Sequence, residues 1–161
     1  MINIKKLSDF LSNANKVGYS SGIKAKKIKE KDKSKTIIFK KGDWKFHDNY
    51  FGGEPYGGRE VVFFKNKPVY MIVYYGFVNK SVSDFKKVYK FLQEALSQKS
   101  KNSLQRRGPK KYVSGDFVYT NNFNGKIESF YGEEIIKIKG KKVYSARYAG
   151  GLVDQRIEKN G

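Results

Sequence analysis

Residues 42–52 read Gly-Asp-Trp-Lys-Phe-His-Asp-Asn-Tyr-Phe-Gly, and residues 115–125 read Gly-Asp-Phe-Val-Tyr-Thr-Asn-Asn-Phe-Asn-Gly. The two stretches place glycines, aromatic residues and polar residues at matching positions. After one extra residue in the second stretch the match continues, with Glu60-Val61-Val62 aligned to Glu134-Ile135-Ile136. Because agreement over this length is hard to obtain by chance, the pattern predicts an internal duplication, and this prediction decides the expected fold.

Each copy follows a segment with helical periodicity. The second segment has Ser83 before it as a plausible N-cap. Within the first copy, the turn residues Lys41-Gly42-Asp43 and Lys65-Asn66-Lys67 separate runs typical of strands, which predicts antiparallel hairpins. The apolar residues at helical spacing are Ile4, Leu7, Phe10, Leu11 and Ala14 in the first segment, and Phe85, Val88, Tyr89, Leu92, Ala95 and Leu96 in the second.

These patterns predict an α+β fold in which a helix plus about four antiparallel strands occurs twice, related by a pseudo-two-fold axis, with one helix per repeat packed on the sheet. We expect one domain over 1–161, with repeats at about 4–80 and 83–153. The runs at 61–64 and 69–75 are apolar at consecutive positions, which predicts central strands covered on both faces. The segment 24–35 holds seven lysines in twelve residues and is interpreted as a basic loop.

The composition restricts the possible partners. The formal net charge is +19, from 34 basic and 15 acidic residues, and this favours an anionic partner. We expect a nucleic acid or a nucleotide, with an acidic protein surface as another possibility. The chain has no cysteine, no apolar run long enough to span a membrane and no secretory signal, so the expectation is a cytoplasmic protein with no membrane partner, no cofactor and no metal.

Three residues are the candidates for catalysis. His47 is the only histidine and stands beside Asp48, so it could act as a general base. Glu60 and Glu134 occupy matching positions in the two copies and could face each other across a cleft, which would raise the pKa of one of them. The alternative is that each glutamate pairs locally with a lysine or a backbone amide.

Aromatic and arginine side chains are the candidates for ligand binding. Tyrosine and tryptophan beside basic residues are typical of base stacking, and paired guanidinium groups suit phosphate or carboxylate. Arg147 lies in the middle of a predicted strand, so it needs an anion if it points inward. The set consists of Trp44, Tyr50, Tyr74, Tyr148, Arg106, Arg107 and Arg147.

The chain resembles an uncharacterised bacterial domain family from Leu7 to about Val153. The resemblance implies a domain found alone or behind an Xre-type helix-turn-helix regulator, with a sensing or effector-binding role and no assigned catalytic residue. The segments that carry it are Gly42-Asp43-Trp44, Phe46, Asp48, Tyr50 to Gly53, Tyr56, Gly58, Glu60-Val61-Val62, Tyr74-Tyr75-Gly76, Arg107-Gly108-Pro109 and Tyr148 to Gly151.

The leading hypothesis from the sequence is therefore a non-enzymatic binding protein for an anionic partner, a nucleic acid or a nucleotide, with a phage or mobile-element inhibitor as one form of it. One alternative is a domain that binds a small molecule or a nucleotide signal. The second alternative is an enzyme that uses Glu60, Glu134 or His47.

Overall fold

The computed structural model describes residues 1–15, 27–98 and 107–156, and Arg106 lies outside these ranges. The described chain forms two helices and nine strands. In chain order they are α1 (Ile4–Asn15), β1 (Ile28–Lys29), β2 (Lys35–Lys41), β3 (Trp44–Gly52), β4 (Tyr56–Phe64), β5 (Lys67–Val78), α2 (Phe85–Ser97), β6 (Lys111–Ser114), β7 (Phe117–Lys126), β8 (Ser129–Ile138) and β9 (Lys141–Leu152).

All nine strands belong to one antiparallel sheet with the order β1-β2-β3-β4-β5-β9-β8-β7-β6. The long strands β5 and β9 lie side by side near its centre, where Tyr74 pairs with Tyr148. The predicted α+β fold, a helix plus four strands occurring twice, is therefore wrong. The protein is mostly β, because the strands of both halves form one continuous sheet and the helices contribute only 12 and 13 residues.

The predicted hairpin turns are confirmed, whereas the predicted helix cap is displaced by one residue. The turns at Lys41-Gly42-Asp43 and Lys65-Asn66-Lys67 join β2 to β3 and β4 to β5 in antiparallel hairpins. The second helix is capped by Asp84 and not by Ser83, because the Asp84 side chain accepts a hydrogen bond from the backbone N–H of Lys87. A short carboxylate at this position satisfies one of the donors that a helix start leaves open.

The sheet has two different faces, because successive side chains of a strand point to opposite sides. We call the side on which both helices pack the packed face, and the opposite side the open face. Along β5, Ile72, Tyr74 and Val78 are buried on the packed face, whereas Val73 and Phe77 are exposed on the open face. The prediction that this strand is covered on both sides is therefore wrong.

Two apolar clusters fill the packed face. One joins α1 to strands β3, β4, β5, β8 and β9, and the other joins α2 to β5, β7, β8 and β9. Gly76 lies where these clusters meet, and a Cβ atom there would come within 2.8 Å of the Tyr56 ring. The glycine therefore makes room for Tyr56, which packs against both clusters.

The basic segment 24–35 is only partly described. Residues 24–26 lie outside the described ranges, and from residue 27 onward the segment leads through β1 into a turn and the start of β2, with Ile28 paired to Thr36. Neither described helix is long and apolar enough to cross a membrane.

Candidate functional site

A buried ion pair lies on the packed face. The Nε atom of Arg107 is 2.8 Å from Oε1 of Glu134, and the two side chains are 6% and 0% exposed. The hydroxyl of Tyr119 donates to the same oxygen over 2.9 Å. Oε2 of Glu134 has no hydrogen-bond partner among the described residues. The Arg107 guanidinium also lies 5.1 Å from the centre of the Tyr74 ring, so it links the two halves of the sheet.

Asn121 anchors the same loop. Its Nδ2 donates to the backbone oxygen of Gly108 over 3.1 Å, and its Oδ1 accepts from the Tyr148 hydroxyl over 2.7 Å. With the Arg107–Glu134 pair, these bonds attach residues 107–110 to the packed face immediately before β6. Asn121 and the Arg107–Glu134 pair thus fix the position of residues 107–110 on the packed face.

Asp48 and Tyr74 form another buried polar contact on the packed face. The Tyr74 hydroxyl donates to Oδ1 of Asp48 over 2.6 Å. Burial raises the pKa of Asp48, although the Tyr74 hydrogen bond and the charges of Arg107 and Lys27 act in the opposite direction. Ionised Asp48 is therefore less stable in the folded protein than in water.

Replacing Asp48 with asparagine should stabilise the protein at neutral pH, because asparagine still accepts from Tyr74 and carries no buried charge. Asp48 favours folding most below its unfolded pKa of about 3.9, and this contribution is lost as the pH rises through the higher folded pKa. The advantage of Asp48→Asn should thus grow by about 1.4 kcal/mol for each pH unit between the two pKa values. Urea unfolding at several pH values measures the difference in free energy of unfolding between the variant and the wild type. A wild type that gains stability over the variant from pH 4 to pH 7 would contradict the prediction.

The aromatic side chains predicted to stack on a ligand lie on the packed face. Tyr74 and Tyr148 are buried in the core. Trp44 is half-buried against Phe10 and Phe64, with ring centroids 5.4 and 4.7 Å apart. Their role in ligand binding stays a prediction.

Tyr50 is the fourth aromatic residue of the predicted set. It is half-buried on the packed face, where the Nζ atoms of Lys27 and Lys35 lie 5.9 and 5.8 Å from its ring centroid. The structure therefore gives this ring two lysine neighbours of the kind that the ligand hypothesis requires.

The catalytic candidates are spread over the sheet. His47 points to the open face and Asp48 to the packed face, because they are consecutive in β3. Burial and the charges of Arg59 and Lys45 lower the pKa of His47. β5 and β9 separate the strands of Glu60 and Glu134, which accounts for roughly 14 Å across the sheet. The register also places Glu134 level with Tyr56, four residues from Glu60, so the two backbones lie roughly 20 Å apart.

The open face carries most of the exposed apolar surface. Ten large hydrophobic side chains are exposed among the described residues, and all but Met1 and Phe85 point to this face. Sequence reasoning named none of these residues as candidate site residues, and it interpreted the run at 69–75, which contains Val73 and Tyr75, as covered on both faces. The eight are Ile28, Ile38, Phe51, Val73, Tyr75, Phe77, Val113 and Tyr131.

The same face is strongly basic. Its strand positions carry one acidic residue, Glu133, which lies 3.7 Å from both Arg147 and Lys142. Arg147 is 84% exposed and its strand neighbour on β5 is Tyr75, so it does not need the buried anion that an inward position would require. The eight basic residues at open-face positions are Lys40, Lys45, Arg59, Lys111, Lys126, Lys137, Lys142 and Arg147.

The fold and this surface define a class of protein: a single antiparallel sheet with one face packed by helices and the other basic, aromatic and open. The chain belongs to the DUF5680 family, a domain of unknown function, whose model matches residues 48–153. The matched range begins in β3 and ends just after β9, so it contains the central strands and the Arg107–Glu134 pair. No curated protein and no solved structure matches this chain.

Proposed function

We propose that the protein is a non-enzymatic binding protein whose open face binds nucleic acid. One observation carries this proposal: exposed aromatic rings and eight basic side chains share the sheet face that neither described helix covers. A contiguous exposed apolar patch marks an interaction site, and the surrounding positive charge selects an anionic partner.

The rings favour nucleic acid over an acidic protein surface. Tyr75, Phe77 and Tyr131 offer flat apolar faces, and nucleobases provide the matching flat partners. An acidic protein surface would use the lysines and arginines but would leave these rings exposed to water.

Fluorescence anisotropy with labelled single-stranded DNA of about 20 nucleotides tests the proposal. We expect Kd to rise steeply between about 50 and 200 mM salt, with a logarithmic slope of about 0.7 for each phosphate contact. Absence of binding at the lower salt concentration, or a Kd independent of salt, would overturn it. Sedimentation of the free protein tests self-association, and a dimer that binds no DNA would contradict the proposal.

Replacing Glu133 with glutamine should tighten DNA binding about three- to tenfold, because the change removes the only acidic side chain among the open-face strand positions. Glutamine can still accept the hydrogen bond that the Ser145 hydroxyl donates to Glu133. Asp9→Asn on α1 is the control, since it makes the same change in net charge on the helix side. Equal tightening in both variants would show that only net charge matters.

A further inference from the structure

The shape of the open face narrows the ligand class, on the assumption that the proposed function is correct. Tyr75 is 55% exposed and Phe77 is 44% exposed, and their ring centroids are 6.4 Å apart. Beside Tyr75 on β4 lies Gly57, where a Cβ atom would come within 3.1 Å of the Tyr75 ring. The Tyr75 ring thus extends over backbone and not over another side chain.

Tyr131 provides a second stacking position. It is 63% exposed, and its neighbour on β9 is Ala149, whose methyl group hides little of the ring. β8 and β5 are separated only by β9, and Tyr131 is level with Val73, two residues from Tyr75. Tyr131 and Tyr75 therefore start from backbones about 12 Å apart. Arg147 stands on β9 between these two strands, next to Tyr75.

We propose that the open face binds a single-stranded nucleic acid, with bases stacked on Tyr75, Phe77 and Tyr131 and a backbone phosphate at Arg147. A strand that crosses from β5 to β8 passes over the guanidinium between the rings. In a duplex the bases are already paired and stacked, so the rings cannot reach their faces, and only the phosphates remain for the lysines and arginines.

Three probes of equal length separate the contribution of the bases to binding affinity from the contribution of the phosphates. They are a labelled single strand of about 20 nucleotides, its blunt duplex and an abasic strand with the same phosphates and no bases. We expect the single strand to bind at least about tenfold more tightly than the other two at equal salt. An RNA strand of the same sequence should also bind, because stacking uses the bases and not the sugar.

The double variant Tyr75→Leu/Tyr131→Leu should weaken single-strand binding by about 10- to 100-fold and leave abasic binding unchanged. Thermal unfolding checks that the variant is folded, because a chain with a net charge of +19 binds phosphates even when it is unfolded. The matched control is Phe85→Leu, which removes an exposed ring on the helix side. This control should bind as the wild type does.

The outcomes distinguish this inference from the proposed function. Equal affinity for single strand, duplex and abasic strand would overturn the inference and leave a phosphate-binding open face in place. Equal loss of single-strand and abasic binding in the double tyrosine variant would also overturn it. Absence of binding to all three probes would overturn the proposed function as well.

Discussion

Replacing Arg107 with alanine should lower the free energy of unfolding by about 3–5 kcal/mol. The partner carboxylate of Glu134 is fully buried, so the variant leaves a charge without its cation in a medium that solvates it poorly. The same change removes one of the contacts that attach residues 107–110 to the packed face, while the Asn121–Gly108 hydrogen bond remains. Urea unfolding followed by circular dichroism measures the effect.

Two further variants identify the cause of this loss. Lys139→Ala breaks an exposed ion pair with Asp116, with side chains 76% and 62% exposed, and should change stability by less than about 1 kcal/mol. Adding Glu134→Gln to Arg107→Ala should restore at least half of the lost stability, because glutamine can still accept from Tyr119 and carries no charge. If Arg107→Ala is no more harmful than Lys139→Ala, the buried pair does not stabilise the fold.

Reversing two charges on the open face should weaken nucleic-acid binding about 100-fold or more. Arg59 and Arg147 are both exposed and lie on opposite sides of Val73 and Tyr75. In Arg59→Glu/Arg147→Glu two attractive contacts with phosphate become repulsive, and the salt dependence of Kd should become shallower. Anisotropy at equal ionic strength measures both effects, and thermal unfolding checks that the variant remains folded.

The control for this variant is Lys86→Glu/Lys90→Glu on α2. Both lysines are exposed on the helix side, and the change in net charge is the same. A small loss in this control, beside a large loss in the arginine variant, would place the binding surface on the open face. Equal losses would show that binding follows total charge, and the proposed surface would be wrong.

Local structure was predictable from the sequence because its causes are local. The turn at Lys65-Asn66 needs two residues with positive φ, and these have φ of 49° and 65°. Helix α2 has its buried residues at the spacing that the sequence shows, including Val88, Leu92 and Ala95. Position-by-position similarity between 42–52 and 115–125 likewise predicted equivalent local elements, and each segment forms a turn and the strand after it.

The fold class was not predictable in the same way. The sequence showed two similar halves but not how they join, since the β5–β9 pairing connects residues 66 to 82 positions apart, such as Tyr74 and Tyr148. Both helices pack on the same face of the resulting sheet. One continuous sheet with an uncovered side is therefore a consequence of long-range pairing.

For the candidate site, the sequence indicated the general chemistry, and the tertiary structure decided which residues take part. Composition alone indicated that the chain is strongly basic, and tyrosine and tryptophan beside basic residues indicated base stacking. Only the tertiary structure decided which rings have which role: Tyr74 and Tyr148 are buried with polar partners, whereas Tyr75 and Tyr131 are exposed. The physical reason is that adjacent strand residues point to opposite faces, and the identity of the covered face depends on where the helices pack.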